Sequence, residues 1–326
     1  MADRARSFEN VLLRQEVTRP RPGPPLRWEA GAWRLEFPRP DADRLEYLFD
    51  ADGRYLIDAS NPLRAAGPFG DKSVIEWPDY KPPGWVDSIA DAGPVQEVEL
   101  RCRRLVARVN VQLYATPEPP ASDAPLIVVH DGPEYARYSG LTRFLDAMSW
   151  EERIPPLRAA LIEPVDRDET YSASALYAGA LVRELLPEIT KLAPHGKRIG
   201  MGCSLGALAM LHAHRRHPRS FDGLLLQSGS FFQQRSDKVE SHFGRYNRIT
   251  RFVGTVLRGA DFERSIPVAI TCGTAEENNA NNQALAEALV AQGYPAWFAQ
   301  IRDGHNWTSW RDALYPHLPA LIESVA

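Results

Sequence analysis

Arg198-Ile-Gly-Met-Gly-Cys-Ser-Leu-Gly-Ala-Leu-Ala-Met-Leu211 decides how the rest of the chain is read. It opens as a short extended run, turns through Gly202-Cys203-Ser204-Leu205-Gly206, and closes in an Ala- and Leu-rich run that predicts a helix. A serine hydroxyl is a useful nucleophile only where it projects from the backbone toward both a substrate and a base. A sharp strand-to-helix turn projects it, and crowds the residues on either side. Glycines at 202 and 206 remove the Cβ atoms that would clash. The helix aims its first N–H groups at the same place, so the Leu205 amide is a candidate donor to an oxyanion. The pentapeptide alone arises by chance; the flanking strand and helix give it weight.

Outward from this turn, strands alternate with helices. Residues 126–129 form a continuous apolar strand, the mark of a sheet covered on both faces. Strands follow at 158–162, 199–203, 223–226, 268–272 and 296–301. Helices are expected at 174–192, 205–217, 281–292 and 310–325. This predicts a doubly wound, mostly parallel α/β domain over 95–326, with ligands at the carboxyl ends of its strands. Before residue 90 the pattern differs. Trp33, Leu35 and Phe37 alternate with polar residues, as do Leu45, Tyr47 and Phe49, and 73–77 is a further short strand. Asp52-Gly53, Asn61-Pro62 and Pro82-Pro83-Gly84 mark turns and loops. Residues 1–90 therefore predict a small β-sandwich, led by a polar arm or a leading strand that ends in a Pro-rich run at 19–25. Asp91-Ala92-Gly93-Pro94 reads as a linker.

Bulk properties bound the function. The chain has 326 residues, 44% hydrophobic and 25% charged, too many for one small core. Its net charge of −4 argues against a general nucleic-acid binder. Cys102, Cys203 and Cys272 show no metal spacing and read as buried thiols in a reducing compartment. The first residues hold no apolar core of a signal peptide, and no run approaches the ~18 apolar residues of a membrane span. These features read as a cytoplasmic protein with no membrane partner.

The predicted strand ends carry His130-Asp131-Gly132, Asp166-Arg167-Asp168, Ser204, Ser228-Gly229-Ser230, Glu276-Glu277 and Gly304-His305. An acyl-transfer site needs a nucleophile, a base, an acid that orients the base, and oxyanion donors. Serine, acid, histidine is the chain order of α/β-hydrolases, and Ser204 with His305 fits it. His305 sits on a Gly-bearing loop after the last strand. His212, His214 and His217 read as an exposed, solvated helix face beside Arg215 and Arg216. His195 lies at the wrong strand end and His317 in the last helix, while His130 belongs to the expected oxyanion loop. In that loop Pro133 has no N–H, so the second donor is Gly132 or Glu134.

Between two sheet strands, 231–265 has no strand of its own and reads as a lid. From 235 to 264 it carries seven cations, among them Arg245, Arg248 and Arg251. Only Asp237, Glu240, Asp261 and Glu263 oppose them, a surplus of +3. The surplus reads either as a solvated helix face or as a basic wall that attracts an anionic substrate.

With these residues in place, the chain resembles the enterochelin esterase family of iron-siderophore hydrolases, part of a larger esterase group of α/β-hydrolases. The resemblance rests on Val128-Val129-His130-Asp131-Gly132, Leu185-Leu186-Pro187 and the Ser204 pentapeptide. It continues through Leu226-Gln227-Ser228-Gly229-Ser230, Gly273-Thr274-Ala275-Glu276, Asn282-Gln283-Ala284-Leu285, Gly304-His305 and Trp310-Arg311. The first domain is similar to that family's immunoglobulin-like N-terminal module, and its Asp58-Ala59-Ser60-Asn61-Pro62 run is similar to runs in starch-binding-like modules. The loop departs from the family in reading His-Asp-Gly-Pro where many relatives have Leu-Asp-Gly.

The resemblance implies cytoplasmic hydrolysis of cyclic catecholate triesters, with Ser204 as nucleophile and His305 as base. It places the acid at Glu276, three residues after Gly273. Adjacent residues of an extended loop face opposite sides, so Glu277 is assigned to structure, and Asp303 is the next candidate. The wider group includes feruloyl and xylan esterases, S-formylglutathione hydrolases and mycolyltransferases. The reading is thus a serine esterase with Leu205 and Gly132 as oxyanion donors. It needs no metal or cofactor of its own and takes a small-molecule ester, an anionic ferric siderophore first. A carbohydrate, feruloyl or general carboxylesterase is the alternative, and a glycan-binding or scaffold protein with an idle site is the alternative of another class. Sequence leaves the oligomeric state open.

Overall fold

The computed structural model describes residues 1–17, 23, 25–259 and 264–326. The chain divides into two units. Met1–Pro82 forms the first, joined by the returning segments Gly273–Glu277 and Gln300–Ser309. Pro83–Cys272, Asn278–Ala299 and Trp310–Ala326 form the second.

In the first unit, β1 (Val11–Gln15) precedes a hairpin of β2 (Arg27–Glu29) and β3 (Ala32–Arg34), then β4 (Arg44–Ala51), β5 (Arg54–Leu56), β6 (Arg64–Ala65) and β7 (Lys72–Glu76). The larger sheet has the order β1-β4-β7-β6, with β5 also on β4. All of its pairings are antiparallel. The leading stretch is a paired strand because Val11 and Leu13 are buried on one side, with Leu26, Trp33, Tyr47 and Phe49 in the same core. Asp3 anchors two tryptophans, accepting from Trp33 Nε1 at 2.9 Å through its carboxylate and from Trp28 Nε1 at 3.0 Å through its carbonyl. The alternation through Leu35 and Phe37 does not continue as a strand. Both side chains pack on the core, but pairing ends at Arg34, ahead of Pro38 and Pro40. The Pro-rich run at 19–25 lies, apart from Gly23 and Pro25, outside the described residues.

The second unit begins at Pro83, earlier than the composition change at 91–94, because Trp85 packs edge-on against Phe144 at 5.0 Å between ring centroids. Its elements are β8 (Val95–Cys102), β9 (Ala107–Ala115), β10 (Leu126–His130), α1 (Gly132–Tyr138), α2 (Leu141–Trp150), β11 (Arg158–Ile162), α3 (Arg167–Thr170), α4 (Ala175–Ala180) and α5 (Leu186–Leu192). Then come β12 (Arg198–Cys203), α6 (Leu205–Arg216), β13 (Gly223–Gln227), α7 (Tyr246–Leu257), β14 (Val268–Gly273), α8 (Asn279–Ala291), β15 (Ala296–Ile301), α9 (Trp307–Asp312) and α10 (His317–Val325). The expected helix at 174–192 holds a π-helical turn, Leu181–Leu185, between α4 and α5. It ends just before Pro187, which has no N–H to give the carbonyl four residues earlier.

The eight strands run in the order β15-β14-β13-β12-β10-β11-β9-β8. From β11 through β14 the pairs are parallel, so the chain leaves each of these strands at one edge of the sheet. β9 and β8 join antiparallel. At the other end Val268 N–H bonds Pro295 and Thr274 N–H bonds Ile301, numbers that rise together as in a parallel pair. β10, β12, β13 and β14 are buried along almost their whole length, as their unbroken apolar runs require. The three cysteines are buried thiols. Among the described residues no helix is long and apolar enough to cross a membrane, and no three His, Cys, Asp or Glu side chains are grouped to hold a metal ion.

The histidine-rich end of α6 is not the solvated face expected of it. His212, His214 and Arg215 are all buried. α6 is covered on its outer side by α7 and by the chain after α8. His212 meets Phe252 edge-on at 4.8 Å, and His214 Nε2 lies 3.1 Å from the Arg264 carbonyl. Burial pushes the His212 pKa down to about 3 and that of His214 to about 4. Both lie below the ordinary value near 6.5, so the unfolded chain takes up these protons first. The stability these groups contribute is complete above pH 6.5 and is lost as pH falls toward 4. Thermal unfolding should therefore move to lower temperature between pH 7 and pH 4.5. His212→Leu should flatten that slope, and a slope unchanged in the variant would show that His212 does not set it.

Candidate active site

Ser204 stands between β12 and α6 with φ +53° and ψ −124°, a conformation that L-residues rarely adopt. Gly202 makes the turn possible. A Cβ there would lie 2.6 Å from the Gly206 carbonyl carbon and 2.9 Å from the Ala207 nitrogen. The strain is held by hydrogen bonds from Ser204 N–H to the Gln227 carbonyl at 2.9 Å and from Ser230 N–H to the Ser204 carbonyl at 3.1 Å. Ser204 is half-buried, while its neighbour Cys203 is fully buried. Burial pushes the Cys203 thiol well above its usual range, so that sulfur stays protonated near neutral pH. Leu205 is the first residue of α6, and its N–H has no acceptor within the helix.

The loop after β10 passes close by. Gly206 lets it, since a Cβ on Gly206 would lie 3.1 Å from Asp131 Oδ2 and 3.2 Å from His130 Cβ. Asp131 takes the left-handed conformation, φ +50° and ψ +38°, and so turns the chain into α1. A Cβ on Gly132 would fall 2.3 Å from the Leu161 Cα, so only glycine fits against β11. Arg167 grips Asp131 with Nε at 2.8 Å and Nη2 at 2.9 Å. Burial opposes the Arg167 charge, but Asp131 outweighs it and keeps the guanidinium charged. His130 is fully buried. Its Nδ1 donates to the Gly206 carbonyl at 3.0 Å, and its Nε2 accepts from Tyr177 Oη at 2.7 Å. Burial pushes its pKa down to about 3, and no proton can be taken up there near neutral pH. Glu134 differs from Gly132 as a donor. Burial pushes its carboxyl up, and that carboxyl takes a hydrogen bond from the Glu134 amide itself.

In the first unit, the segments that continue β14 and β15 carry Glu276 and His305. His305 Nδ1 lies 2.7 Å from Glu276 Oε2, and Glu276 Oε1 accepts the Gly273 N–H at 2.8 Å. The Glu276 side chain is fully buried and that of His305 is 27% exposed, so the ring is reachable and its carboxylate partner is not. Glu277 is exposed. Asp303 faces Arg44 rather than His305. Gly273 permits the pairing: a Cβ there would lie 2.9 Å from Glu276 Oε1 and 2.4 Å from the Asp303 carbonyl oxygen.

A family model described as "Putative esterase" matches residues 103–321. The chain belongs to that family. The esterase is 27% identical over 292 residues to the Iron(III) enterobactin esterase of Escherichia coli O6:H1, a match covering 85% of this chain and 71% of that one. A crystal structure of the enterobactin esterase from Shigella flexneri in the presence of enterobactin superposes with a TM-score of 0.79 at 22% identity. That superposition covers 97% of this chain and 88% of the other. A ferulic acid esterase superposes over 71% of this chain and 98% of its own, with a TM-score of 0.59 at 18% identity. The esterase is a carboxylic ester hydrolase with a mostly parallel central sheet.

The lid arginines are partly committed elsewhere. Arg245 Nε and Arg248 Nη1 both grip Glu169, and Arg248 also reaches the Ser172 and Glu169 carbonyls, at 2.5 and 2.6 Å. The hydrogen bond from Arg248, then burial in the opposite sense, then Arg245, leave Glu169 below its usual range. Arg251 is exposed. Asp261 and Glu263, counted in the lid's charge, lie outside the described residues. Sequence reading gave no role to Arg167 or Ser230. Ser230 Oγ lies 3.2 Å from Ser204 Oγ, and the polar loop 228–230 at a strand end was its only signal. Asp131 and Arg167 are 36 residues apart and share no motif.

The Gly132 contact is testable. With Leu161 backbone in the way, Gly132→Ala must displace the loop. Its kcat on a p-nitrophenyl ester should fall about 10²-fold or more, as for loss of an oxyanion donor, with KM little changed. A folded Gly132→Ala with wild-type kcat would remove the loop from the reaction.

Proposed function

We propose that this esterase opens the ester bonds of an iron-carrying catecholate trilactone of the enterobactin type through an acyl-enzyme on Ser204. The observation that carries the reaction class is the 2.7 Å hydrogen bond between a buried Glu276 and a reachable His305. A carboxylate on Nδ1 fixes the tautomer, so that Nε2 is the nitrogen that takes a proton, and it stabilises the imidazolium that results. His130, the rival histidine, is neutral and has both ring nitrogens engaged.

Ser204 follows β12, Glu276 follows β14 and His305 follows β15, in the order serine, acid, histidine. In this reading His305 takes the Ser204 proton as the oxygen attacks the ester carbonyl. The Leu205 and Gly132 amides hold the oxyanion; Glu134 is the poorer donor because its own carboxylate claims its N–H. His305 then returns the proton to the leaving alcohol and activates the water that releases the acid. The substrate reading is supported by relatives acting on iron(III) enterobactin and by a likeness that extends over 97% of the chain, N-terminal unit included. Ferulic acid esterase, the alternative, matches only 71%. We also read residues 1–90 as an immunoglobulin-like β-sandwich and 95–326 as the catalytic domain. The site of action is inside the cell. Arg245, Arg248 and Arg251 form the substrate-binding wall, with two of the three sharing one glutamate.

Ser204→Ala should lower kcat by ~10⁴-fold or more and abolish labelling by a fluorophosphonate, since it deletes the attacking atom and no packing. Retention of a tenth of the activity would end the serine mechanism. Glu276→Gln should lose kcat by orders of magnitude and Glu277→Gln should stay within a few-fold; the reverse would move the acid to Glu277. A panel of trilactone, feruloyl and p-nitrophenyl esters should show the largest kcat/KM for the trilactone. A feruloyl preference would shift the substrate class, and labelling with no turnover of any ester would favour an idle site.

The charge of the wall gives a separate test. For an anionic ester kcat/KM should fall as salt rises past ~0.1 M, where the Debye length is ~10 Å, and for a neutral ester it should not. Equal dependence would return the arginines to an ordinary solvated surface.

A further inference from the structure

The two segments that return to the N-terminal unit are the ones that carry Glu276 and His305. One turn, 41–44, holds both. Thr274 Oγ1 donates to the Asp41 carbonyl at 2.6 Å. Arg302 reaches Asp41 at 2.6 Å and Asp43 at 3.0 Å, and the Asp43 N–H donates to the Arg302 carbonyl at 2.7 Å. The ion pairs of Arg302 are at the surface, where water screens them. The buried contact is made by Arg44, whose Nη1 lies 3.0 Å from Asp303 Oδ2 with both side chains 4% exposed.

Asp303 spans the histidine. Its Oδ1 accepts the Gly304 N–H at 2.7 Å and Asn306 Nδ2 at 2.9 Å, one residue on either side of His305. Asn306 Oδ1 then accepts the Ser309 N–H at 2.8 Å. The Asp303 carbonyl accepts the Ala275 N–H at 3.3 Å, beside Glu276.

We propose that Arg44 is a positioning residue for His305, acting through Asp303 to hold the 303–306 loop where the imidazole meets Glu276. This gives the N-terminal unit a part in the reaction without contact with substrate, and it rests on His305 being the base. The physical logic is charge. Arg44 lies among three carboxylates, with Glu76 at 3.4 Å and Glu46 at 3.6 Å besides Asp303. It also stacks over Tyr80 at 5.2 Å. Burial pushes the Asp303 carboxyl up to about 6, against the pull of Arg44. Without the guanidinium, burial of Asp303 is no longer opposed by Arg44 and favours the neutral carboxyl, a weaker acceptor for the two donors flanking His305.

A double-variant cycle on the full chain tests this. Arg44→Met should lower kcat about 10- to 100-fold with KM within ~3-fold, the signature of a base held slightly out of place. Arg44→Lys, which keeps the charge without the fork, should fall between. Asp303→Asn should also lower kcat, and adding Arg44→Met to it should change kcat by less than ~3-fold, because the second change has no carboxylate left to act on. Additive losses would overturn the proposal, as would wild-type kcat in a folded Arg44→Met. If Arg44→Met alone does not fold, the Arg44→Met/Asp303→Asn protein decides: low kcat supports the proposal and wild-type kcat overturns it. His305→Ala separates the two readings. If it is active, the base assignment fails and this inference with it. If it is inactive while Arg44→Met is fully active, only the positioning role fails.

Discussion

The close approach of Gly202 to Gly206 is the constraint on which the serine turn depends. With no Cβ at 202, the end of β12 can run against the first turn of α6, and Ser204 is left at φ +53° and only half-buried. Strain of this kind costs of order 1–3 kcal/mol and persists only where surrounding structure over-determines it. Here the neighbours are visible. β13 binds the Ser204 N–H, Ser230 binds its carbonyl, and the side chains of His130 and Asp131 lie against Gly206. The same turn that leaves Ser204 half-buried encloses Cys203 completely, so two adjacent residues with nucleophilic side chains differ in access.

Burial also sorts the histidines. His130, His212 and His214 are all enclosed, and desolvation drives each far below neutral pKa. His130 and His214 serve as shapes with one or two hydrogen bonds, and His212 packs edge-on against Phe252. His305 alone among the residues singled out combines a reachable ring with a buried carboxylate on Nδ1. His305 thus has both a charge partner and exposure, which the packed imidazoles lack.

The N-terminal unit shows the same economy in charge. A surface pair such as Arg302 with Asp41 is worth little, whereas removing one partner of a buried pair leaves an ion with no water and no counter-charge. Arg44 with Asp303 is of the second kind, and it joins positions 259 residues apart in sequence. An arrangement that would be costly to break lies two residues from the proposed base.

Much of this was legible in the sequence, because it follows from local rules. The unbroken apolar runs require strands buried on both faces, Gly-x-Ser-x-Gly between strand and helix requires a sharp turn, and a polar residue after each parallel strand falls at one sheet edge. Glu276 and His305, which the structure joins by a hydrogen bond, were singled out by chain order and by the family resemblance. What tertiary structure decided were the contacts between residues distant in sequence. Nothing near His212 or His214 says that α7 will cover them; their polar spelling reads as a surface until Phe252 and Arg264 arrive. Arg245 and Arg248 read as unpaired cations because Glu169 lies some 76 residues away. Arg44 sits in an ordinary alternating strand and Asp303 beside the Gly304-His305 pair, and no spacing links them. Local steric and hydrophobic patterns are written along the chain, whereas the pairing of buried charges depends on which surfaces the fold brings together.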